Sequence, residues 1–294
     1  MSQNRLAASL TIDRCTPGEI VRIIQDQDRL VAEAVAAAAE PIAEAIEQIA
    51  ARLAQGGRLV YAGAGTSGRI ALLDAAELPP TFGVDPGLVR VLLAGGERAF
   101  TQAVEGAEDD EEAAVAAVDA QVTAGDALVG IAASGTTPYT VAAVRRAGRL
   151  GALTVGVTSA PGSPLARAAR IAIVADTGPE VIMGSTRMKS GTAQKLILNT
   201  LSTGVMIRLG HVYSNLMIDM PAINEKLRRR AERMVELAAE VPRDVAVQAL
   251  RDADGHVKLA VVMARQNLGR AEAEGVLAQH GGDLRQALRE GLGS

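Results

Sequence analysis

Five short apolar runs alternate with helix-like stretches in the middle of the chain. They read RLVYAGAG at 58–65, LVRVLLAGG at 88–96, ALVGIAASG at 127–135, LTVGVTS at 153–159 and IAIVAD at 171–176. Runs that are apolar at nearly every position are typical of strands covered on both faces, and such strands form parallel sheets joined by helical crossovers. The pattern therefore predicts a parallel α/β domain over residues 56–222.

The regions on either side of these runs have a helical pattern. Residues 17–40 and 41–57 carry apolar side chains at spacings of three and four, and Gly56-Gly57 is a plausible stop. Residues 189–209 predict a long buried helix, and several shorter helices follow residue 223, the last of them forming a small compact bundle. The chain thus divides into an N-terminal helical extension (1–55), the α/β domain (56–222) and C-terminal helices with a small helical module (223–294).

Composition excludes several classes of function. The net charge of the 294-residue chain is −4 and it has no Trp, so neither a polyanion-binding surface nor an aromatic platform for bases is indicated. The single cysteine, Cys15, cannot form an internal disulfide, and no targeting or membrane-spanning segment is visible. The three histidines show no metal-ligand spacing. We expect a cytoplasmic protein that binds no metal, no nucleic acid and no membrane.

A literal G-x-G-x-x-G, Gly63 to Gly68, follows the first apolar run and matches a dinucleotide-binding fingerprint. That fold requires an acidic residue at the end of the second strand to hold the ribose. Gly95-Gly96 stands there instead, and Glu97 comes late. The helix after the motif is also expected to break early, at Glu77-Leu78-Pro79-Pro80. A nucleotide cofactor is therefore the weakest interpretation, and we expect none.

Two hydroxyl-rich loops resemble each other. Gly65-Thr66-Ser67-Gly68 follows the first run, and Ser134-Gly135-Thr136-Thr137 follows the third and precedes Pro138, which fits a first helical turn. Helix N-termini offer unpaired N–H donors and partial positive charge, which suit a phosphate. Paired loops of this kind favour a phosphomonoester ligand. The alternative is that each loop only turns the chain and caps a helix.

Carboxylates are the other candidates for chemistry. Glu77 and Glu108 are the strongest, since two carboxylates near a bound sugar phosphate can act as acid and base. Glu105 and Glu108 are expected to share a helical face. Residues 109–112 (DDEE) are read as a solvated cluster that starts a helix.

Two further segments carry basic residues that allow more than one interpretation. Arg187 and Lys189 are either anion-neutralising groups at a helix start or ordinary surface charges. The run Arg228–Arg230 is read as a solvated helix face.

The motifs GAGTSGR, DAAELPPTFG, VEGAED, IAASGTTPY, GPEVIMGSTRMKSGTAQKLILNTLSTG and NEKL are long and occur in order. They resemble the N-acetylmuramic acid 6-phosphate etherase family, and the resemblance extends from about residue 10 to the C-terminal HGGDLRQAL. It implies a sugar isomerase (SIS) fold, a three-layer α/β sandwich with a five-stranded parallel sheet that binds phosphosugars. It also implies a homodimer and relatives that include the glucokinase regulatory protein.

The resemblance further implies a reaction without cofactor or metal, in which the D-lactyl ether of N-acetylmuramate 6-phosphate is cleaved during reuse of cell-wall murein. It assigns Glu77 as proton donor to the departing lactate and Glu108 as the second catalytic carboxylate. The residues that it implies for substrate binding are Thr66, Ser67, Ser134, Gly135, Thr136 and Thr137, with Glu180, Ser185 and Arg187 for sugar or lactate contacts. Two alternatives stay open, a phosphosugar-sensing regulator without catalysis and an aldose–ketose isomerase.

Overall fold

The computed structural model describes residues 4–222 and 224–290. The chain forms two compact units, one of Met1–Ala76 with Pro86–Val205, the other of Glu77–Asp85 with Met206–Ser294. This division follows compactness alone. The three-part domain organisation drawn from the sequence stays a prediction.

The first unit contains a five-stranded sheet in which every neighbouring pair is parallel. Its strands are β1 Leu59–Gly63, β2 Val89–Leu93, β3 Ala127–Ile131, β4 Leu153–Thr158 and β5 Ile171–Val174. The order is β2-β1-β3-β4-β5, and Gly63 at the end of β1 is level with Leu93 of β2 and Ile131 of β3. All five predicted strands, their parallel arrangement and the α/β fold class are confirmed.

The helices agree closely with the periodicity of the sequence, including the long helix predicted at 189–209. They are α1 Pro17–Ala36, α2 Ala39–Ala54, α3 Gly65–Phe82, α4 Glu111–Gln121, α5 Pro138–Arg149, α6 Pro164–Ala168, α7 Lys189–Arg208, α8 Glu225–Ala239, α9 Arg243–Asp252, α10 Val257–Gln266, α11 Arg270–Gln279 and α12 Leu284–Glu290. A short hairpin of β6 Val212–Tyr213 and β7 Leu216–Met217 was not predicted.

Helices cover both faces of the sheet, because successive side chains of a strand point to opposite sides. On one face Val60 and Ala62 of β1 share a buried core with Val118 of α4 and Val144 of α5. On the other face the hydroxyl of Tyr61 reaches Asp74 of α3. The result is the three-layer sandwich that the family resemblance implied.

An ion pair links the residues that precede β1 and β3, at the amino ends of these strands. The Asp126 carboxylate accepts the backbone N–H of Arg58 at 2.8 Å and its guanidinium at 2.9 Å, and it also accepts from Thr123. Burial favours the neutral acid, but these hydrogen bonds outweigh it and hold the pKa of Asp126 below its usual value. The neighbouring strands β1 and β3 are thereby linked at their amino ends.

The second unit is built around α8–α12. Its core is made of small and branched side chains, among them Ala231, Val235, Ala246, Ala260 and Val261, all fully buried. Small side chains let short helices approach closely and bury a continuous apolar surface. Arg228, Arg229 and Arg230 are exposed, as predicted for a solvated face of α8.

Two local expectations were wrong. Helix α3 continues through Pro79 and Pro80 to Phe82, where a break had been expected at Glu77–Pro80. Leu78 and Phe82, one turn apart, are both buried, and this burial offsets the hydrogen bonds that the prolines cannot donate.

The second error concerns Glu105 and Glu108, which do not share a helical face. Gly106 between them has φ of +72°, a left-handed conformation that interrupts any regular helix. Only Glu108 belongs to a short 3-10 turn, at Ala107–Asp109. The acidic cluster that follows does start a helix, since Asp110 caps α4 by accepting the N–H of Ala113 at 2.8 Å.

Candidate active site

The chain reverses its direction along the sheet between β1 and β3. The connection from β1 leads outward to β2, whereas β3 lies on the other side of β1 and continues to β4 and β5. Open parallel sheets bind ligands in the crevice at the carboxyl ends of the strands beside such a switch point. Both hydroxyl-rich segments leave the sheet at this place, because one follows β1 and the other follows β3.

The segment after β1 is a direct strand-to-helix turn. Helix α3 begins at Gly65, so Thr66, Ser67 and Gly68 form its first turn. The motif glycines serve close packing: a Cβ on Gly68 would collide with Leu93 Cδ1, and one on Gly63 would lie 3.1 Å from the nitrogen of Gly68. The Ser67 side chain is 8% exposed, and its hydroxyl has no hydrogen-bond partner within the described residues.

The segment after β3 is held by its own hydroxyls. Ser134 Oγ accepts from the backbone N–H of Thr136 at 3.2 Å and from its hydroxyl at 2.9 Å. Gly135 has φ of +64°, and a Cβ there would collide with Ser163 Oγ. Helix α5 then begins at Pro138, as predicted. Thr136 is exposed and Thr137 partly buried, so both hydroxyls lie near the helix start and in reach of solvent.

Glu108 borders a cavity of about 390 Å³ at the carboxyl ends of β1 and β2. The wall includes Gly65 at the start of α3, Arg69 of the same helix, and Glu105. The two glutamates are exposed. A carboxylate on the wall of a cavity next to a helix start is well placed for acid–base chemistry on an anionic ligand bound at such a start.

Glu77 lies on α3 and is exposed. It belongs to the second compact unit, whereas Glu108 belongs to the first. Glu77 lies three turns after Thr66 and Ser67 on the same helix.

The segment before α7 holds the three weaker candidates. Glu180 is 1% exposed, and its carboxylate accepts the backbone N–H groups of Lys189 at 3.1 Å and Ser190 at 3.0 Å. It thus caps the start of α7 and offsets the positive end of the helix dipole. Ser185 is partly buried and Arg187 is exposed. Their role in binding stays a prediction.

Lys189 is not a surface charge, so one of the two interpretations offered for it is wrong. It is 1% exposed and its Nζ donates to Gln27 Oε1 at 3.0 Å. Burial lowers the pKa of Lys189, while the carboxylate of Glu180 opposes the shift. The sequence did not reveal this burial, because the stretch around Lys189 is rich in polar residues.

The chain is similar to known protein families and relatives over most of its length. A model of the N-terminal SIS domain of the glucokinase regulatory protein matches residues 41–147, and the SIS domain model matches residues 101–203. An N-acetylmuramic acid 6-phosphate etherase of Symbiobacterium thermophilum is 56% identical over 89% of this chain and 87% of its own. One from Actinobacillus succinogenes is 50% identical over 99% of this chain and 96% of its own.

The chain belongs to the N-acetylmuramic acid 6-phosphate etherase family.

Solved structures support the fold of this etherase-family chain. A phosphoheptose isomerase from Francisella tularensis superposes with a TM-score of 0.52 at 22% identity, covering 65% of this chain and 97% of that one. A phosphoheptose isomerase from Neisseria gonorrhoeae gives 0.50 at 21% identity, covering 64% and 97%. At these identities the likeness concerns the fold alone.

A buried polar network around Asp74 in this etherase-family chain was not predicted from the sequence. Asp74, 4% exposed, accepts from the Tyr61 hydroxyl at 2.7 Å, from Asn199 at 2.6 Å and from Ser202 at 3.0 Å. Burial raises the pKa of Asp74, and the three hydrogen bonds oppose the rise. The network fixes α3 against β1 and α7.

A signal for this burial was present in the etherase-family sequence. Asp74 lies one turn after Ala71 and one turn before Leu78, both buried, so a charged residue interrupts an apolar stripe of α3. Such a residue is normally satisfied by buried partners.

Two features are absent from the described part of this etherase-family chain. No helix in it is both long and apolar enough to cross a membrane. Within residues 4–222 and 224–290, no group of three or more His, Cys, Asp or Glu side chains is placed to hold a metal ion.

Proposed function

We propose that this chain cleaves the D-lactyl ether at C3 of N-acetylmuramate 6-phosphate, giving N-acetylglucosamine 6-phosphate and D-lactate. The observation that carries the proposal is the near full-length identity, 48–56%, to proteins named N-acetylmuramic acid 6-phosphate etherase. This places the chain among the carbon–oxygen lyases of carbohydrate metabolism.

The 6-phosphate is assigned to the starts of α3 and α5. Thr66 and Ser67 would donate from the first, and Ser134, Gly135, Thr136 and Thr137 from the second. Their position at the switch point of the sheet supports this assignment, as does the Ser67 hydroxyl without a partner within the described residues. Dianionic phosphate is stabilised there by backbone N–H groups and by two helix dipoles.

The chemistry explains why carboxylates suffice. Opening of the sugar ring exposes an aldehyde at C1, which acidifies the hydrogen at C2. A base removes that proton, the C3–O bond breaks, and its electron pair leaves with the lactate oxygen, which is protonated by an acid. Water then adds across the C2–C3 double bond, with the hydroxyl at C3 and the proton at C2. Elimination followed by syn hydration thus needs one acid and one base.

Glu77 is assigned as the acid that protonates the departing lactate oxygen. Glu108 is assigned as the second carboxylate, acting at C2 and on the incoming water. The position of Glu108 on the cavity wall beside the start of α3 supports its part. Glu180, Ser185 and Arg187 are assigned to sugar or lactate contacts. Glu180 accepts two backbone N–H groups at the start of α7, which fixes its carboxylate there. Each carboxylate oxygen still has a lone pair that can accept a hydrogen bond from a ligand.

We further propose that the chain acts as a cytoplasmic homodimer, without metal or nucleotide, in the recycling of cell-wall murein. The homodimer, the compartment and the pathway follow from the family resemblance. Sedimentation of the purified protein at several concentrations would test the first of these, with a protomer mass of 30.4 kDa as reference.

The reaction is tested with purified protein and N-acetylmuramate 6-phosphate in heavy-oxygen water containing EDTA and no nucleotide. We expect D-lactate of unchanged mass and one heavy oxygen at C3 of the sugar product. A parallel incubation of N-acetylglucosamine 6-phosphate corrects for exchange at C1. Binding without lactate release would favour a phosphosugar sensor, and a ketose product would favour an isomerase.

A further inference from the structure

Arg69 joins α3 to the wall of the Glu108 cavity. Its Nε donates to the carbonyl oxygens of Ala99 at 3.0 Å and Phe100 at 3.2 Å, and its Nη2 donates to that of Gln102 at 3.0 Å. These carbonyls belong to the segment that leads to Glu105 and Glu108. The guanidinium is thus held in one place by neutral backbone groups.

The charge of Arg69 is not neutralised by a neighbour. Within the described residues Arg69 forms no ion pair, and its Nη1 makes no hydrogen bond. Among the described residues that border the cavity it is the only cation, whereas Glu105 and Glu108 supply two negative charges. Among the charged side chains on this wall, only Arg69 attracts an anion that enters the cavity, whereas Glu105 and Glu108 repel it.

A fixed guanidinium with free N–H groups suits one kind of ligand group. Its planar fork matches a carboxylate, and charge-assisted hydrogen bonds of this type are stronger than neutral ones. A lysine at this position would carry the charge but not the planar fork.

We propose that Arg69 binds the carboxylate of the lactyl group and makes the site select an anionic ether. The inference rests on the proposed function. The 6-phosphate is assigned to the starts of α3 and α5, which leaves the lactyl carboxylate as the second anion of the substrate. Glu108, which borders the same cavity, is assigned to C2, and the lactyl group is attached to the neighbouring carbon, C3.

The experiment compares two substrates, N-acetylmuramate 6-phosphate and its lactamide, in which a neutral carboxamide replaces the carboxylate. Release of lactate by the wild-type protein is measured first, since its absence defeats the proposed function whatever Arg69 does. Arg69→Gln and Arg69→Lys are then compared with the wild type in kcat/KM for both ethers. The control is Arg98→Gln, an exposed arginine of the same loop that does not border the cavity.

We expect the wild type to prefer the lactyl ether by about ten- to hundredfold. Arg69→Gln should lose most of this preference, Arg69→Lys should keep part of it, and Arg98→Gln should keep all of it. Binding of N-acetylglucosamine 6-phosphate, which lacks the carboxylate, should be unchanged in the variants. That binding also shows that each variant is folded.

Two results would overturn the inference. If both ethers slow by the same factor in Arg69→Gln, Arg69 only holds the loop. If N-acetylglucosamine 6-phosphate binds weakly to Arg69→Gln while the preference for the lactyl ether survives, Arg69 meets the 6-phosphate and not the lactyl carboxylate.

Discussion

The segments after β1 and β3 look alike in the sequence but are built differently. The first runs directly into α3 and depends on close backbone packing between Gly63 and Gly68. The second is a turn closed by its own hydroxyls, with Ser134 bonded to Thr136. In the first, the Ser67 hydroxyl is without a partner among the described residues, whereas in the second Ser134 is already engaged. The comparison teaches that one phosphate-binding design can be reached by packing or by side-chain hydrogen bonds.

The helices that follow also differ. Helix α3 carries Glu77 and Asp74, while α5 carries no acidic residue. We therefore expect the first segment to combine binding with catalysis and the second to serve binding alone.

The largest expected effect comes from Glu77→Gln. Loss of a general acid should lower kcat by about 10²- to 10⁴-fold, while binding of N-acetylglucosamine 6-phosphate and the unfolding midpoint stay unchanged. Steady-state lactate release and calorimetric titration are the measurements. Glu112→Gln, a change of an exposed residue at the start of α4, is the control and should retain full activity. Wild-type turnover in Glu77→Gln would remove the catalytic distinction between α3 and α5.

Replacement of a glycine by alanine is expected to affect the unfolding free energy differently in the two segments. In Gly135→Ala the new methyl group would collide with Ser163 in a left-handed backbone, and we expect a loss of about 2–4 kcal/mol of unfolding free energy. Gly65→Ala is the matched control, because its φ is +51° but no atom lies within 4 Å of the added Cβ. It should cost about 1 kcal/mol. Equal losses in denaturant titrations would contradict the difference in packing.

The serines provide a smaller contrast. Ser67→Ala should weaken binding of the phosphosugar about tenfold or more, since a hydrogen bond to a charged group contributes about 1.5–3 kcal/mol, and should leave stability unchanged. Ser134→Ala should weaken binding and also lower stability by about 1 kcal/mol, because Thr136 loses its acceptor. Titration calorimetry and thermal unfolding of both variants test the pair. A stability loss in Ser67→Ala alone would reverse the assignment.

The smallest expected effect concerns the pH dependence of stability that arises from Asp126, at the amino ends of β1 and β3. The folded pKa of Asp126 is lowered, so its stabilisation is present above the ordinary Asp pKa of about 3.9 and is lost as pH falls through the folded pKa. We expect Asp126→Asn to destabilise the protein by on the order of 1 kcal/mol at pH 7. Denaturant titrations over a range of pH should also show that this variant loses less stability than the wild type as pH falls. Asp109→Asn, an exposed control, should lose as much stability at low pH as the wild type. If the stability of the wild type does not fall with decreasing pH, the stabilising role of the Asp126–Arg58 ion pair is contradicted.

Much of the fold was predictable because its signals are local. Strands buried on both faces produce continuous apolar runs, and helices produce a period near 3.6, so all five strands and the long α7 could be recognised. The break expected at Pro79 was wrong because burial of Leu78 and Phe82 is a tertiary effect. The face shared by Glu105 and Glu108 was wrong because Gly106 turns the chain. The burial of Lys189 and Asp74 likewise depends on partners far away in the sequence, Gln27 and Asn199.

By itself the sequence determined the parallel α/β class, the place of both hydroxyl-rich segments between strand and helix, and the family. Short-range periodicity and long ordered motifs carry that information directly along the chain. Only the tertiary structure decided that β3 lies beside β1, so that both segments leave the sheet at one switch point. It also decided that Arg69 is the one cation that the described residues place on the wall of the Glu108 cavity. Strand order and the meeting of distant side chains arise from packing the whole sheet against its helices, and no local pattern encodes them.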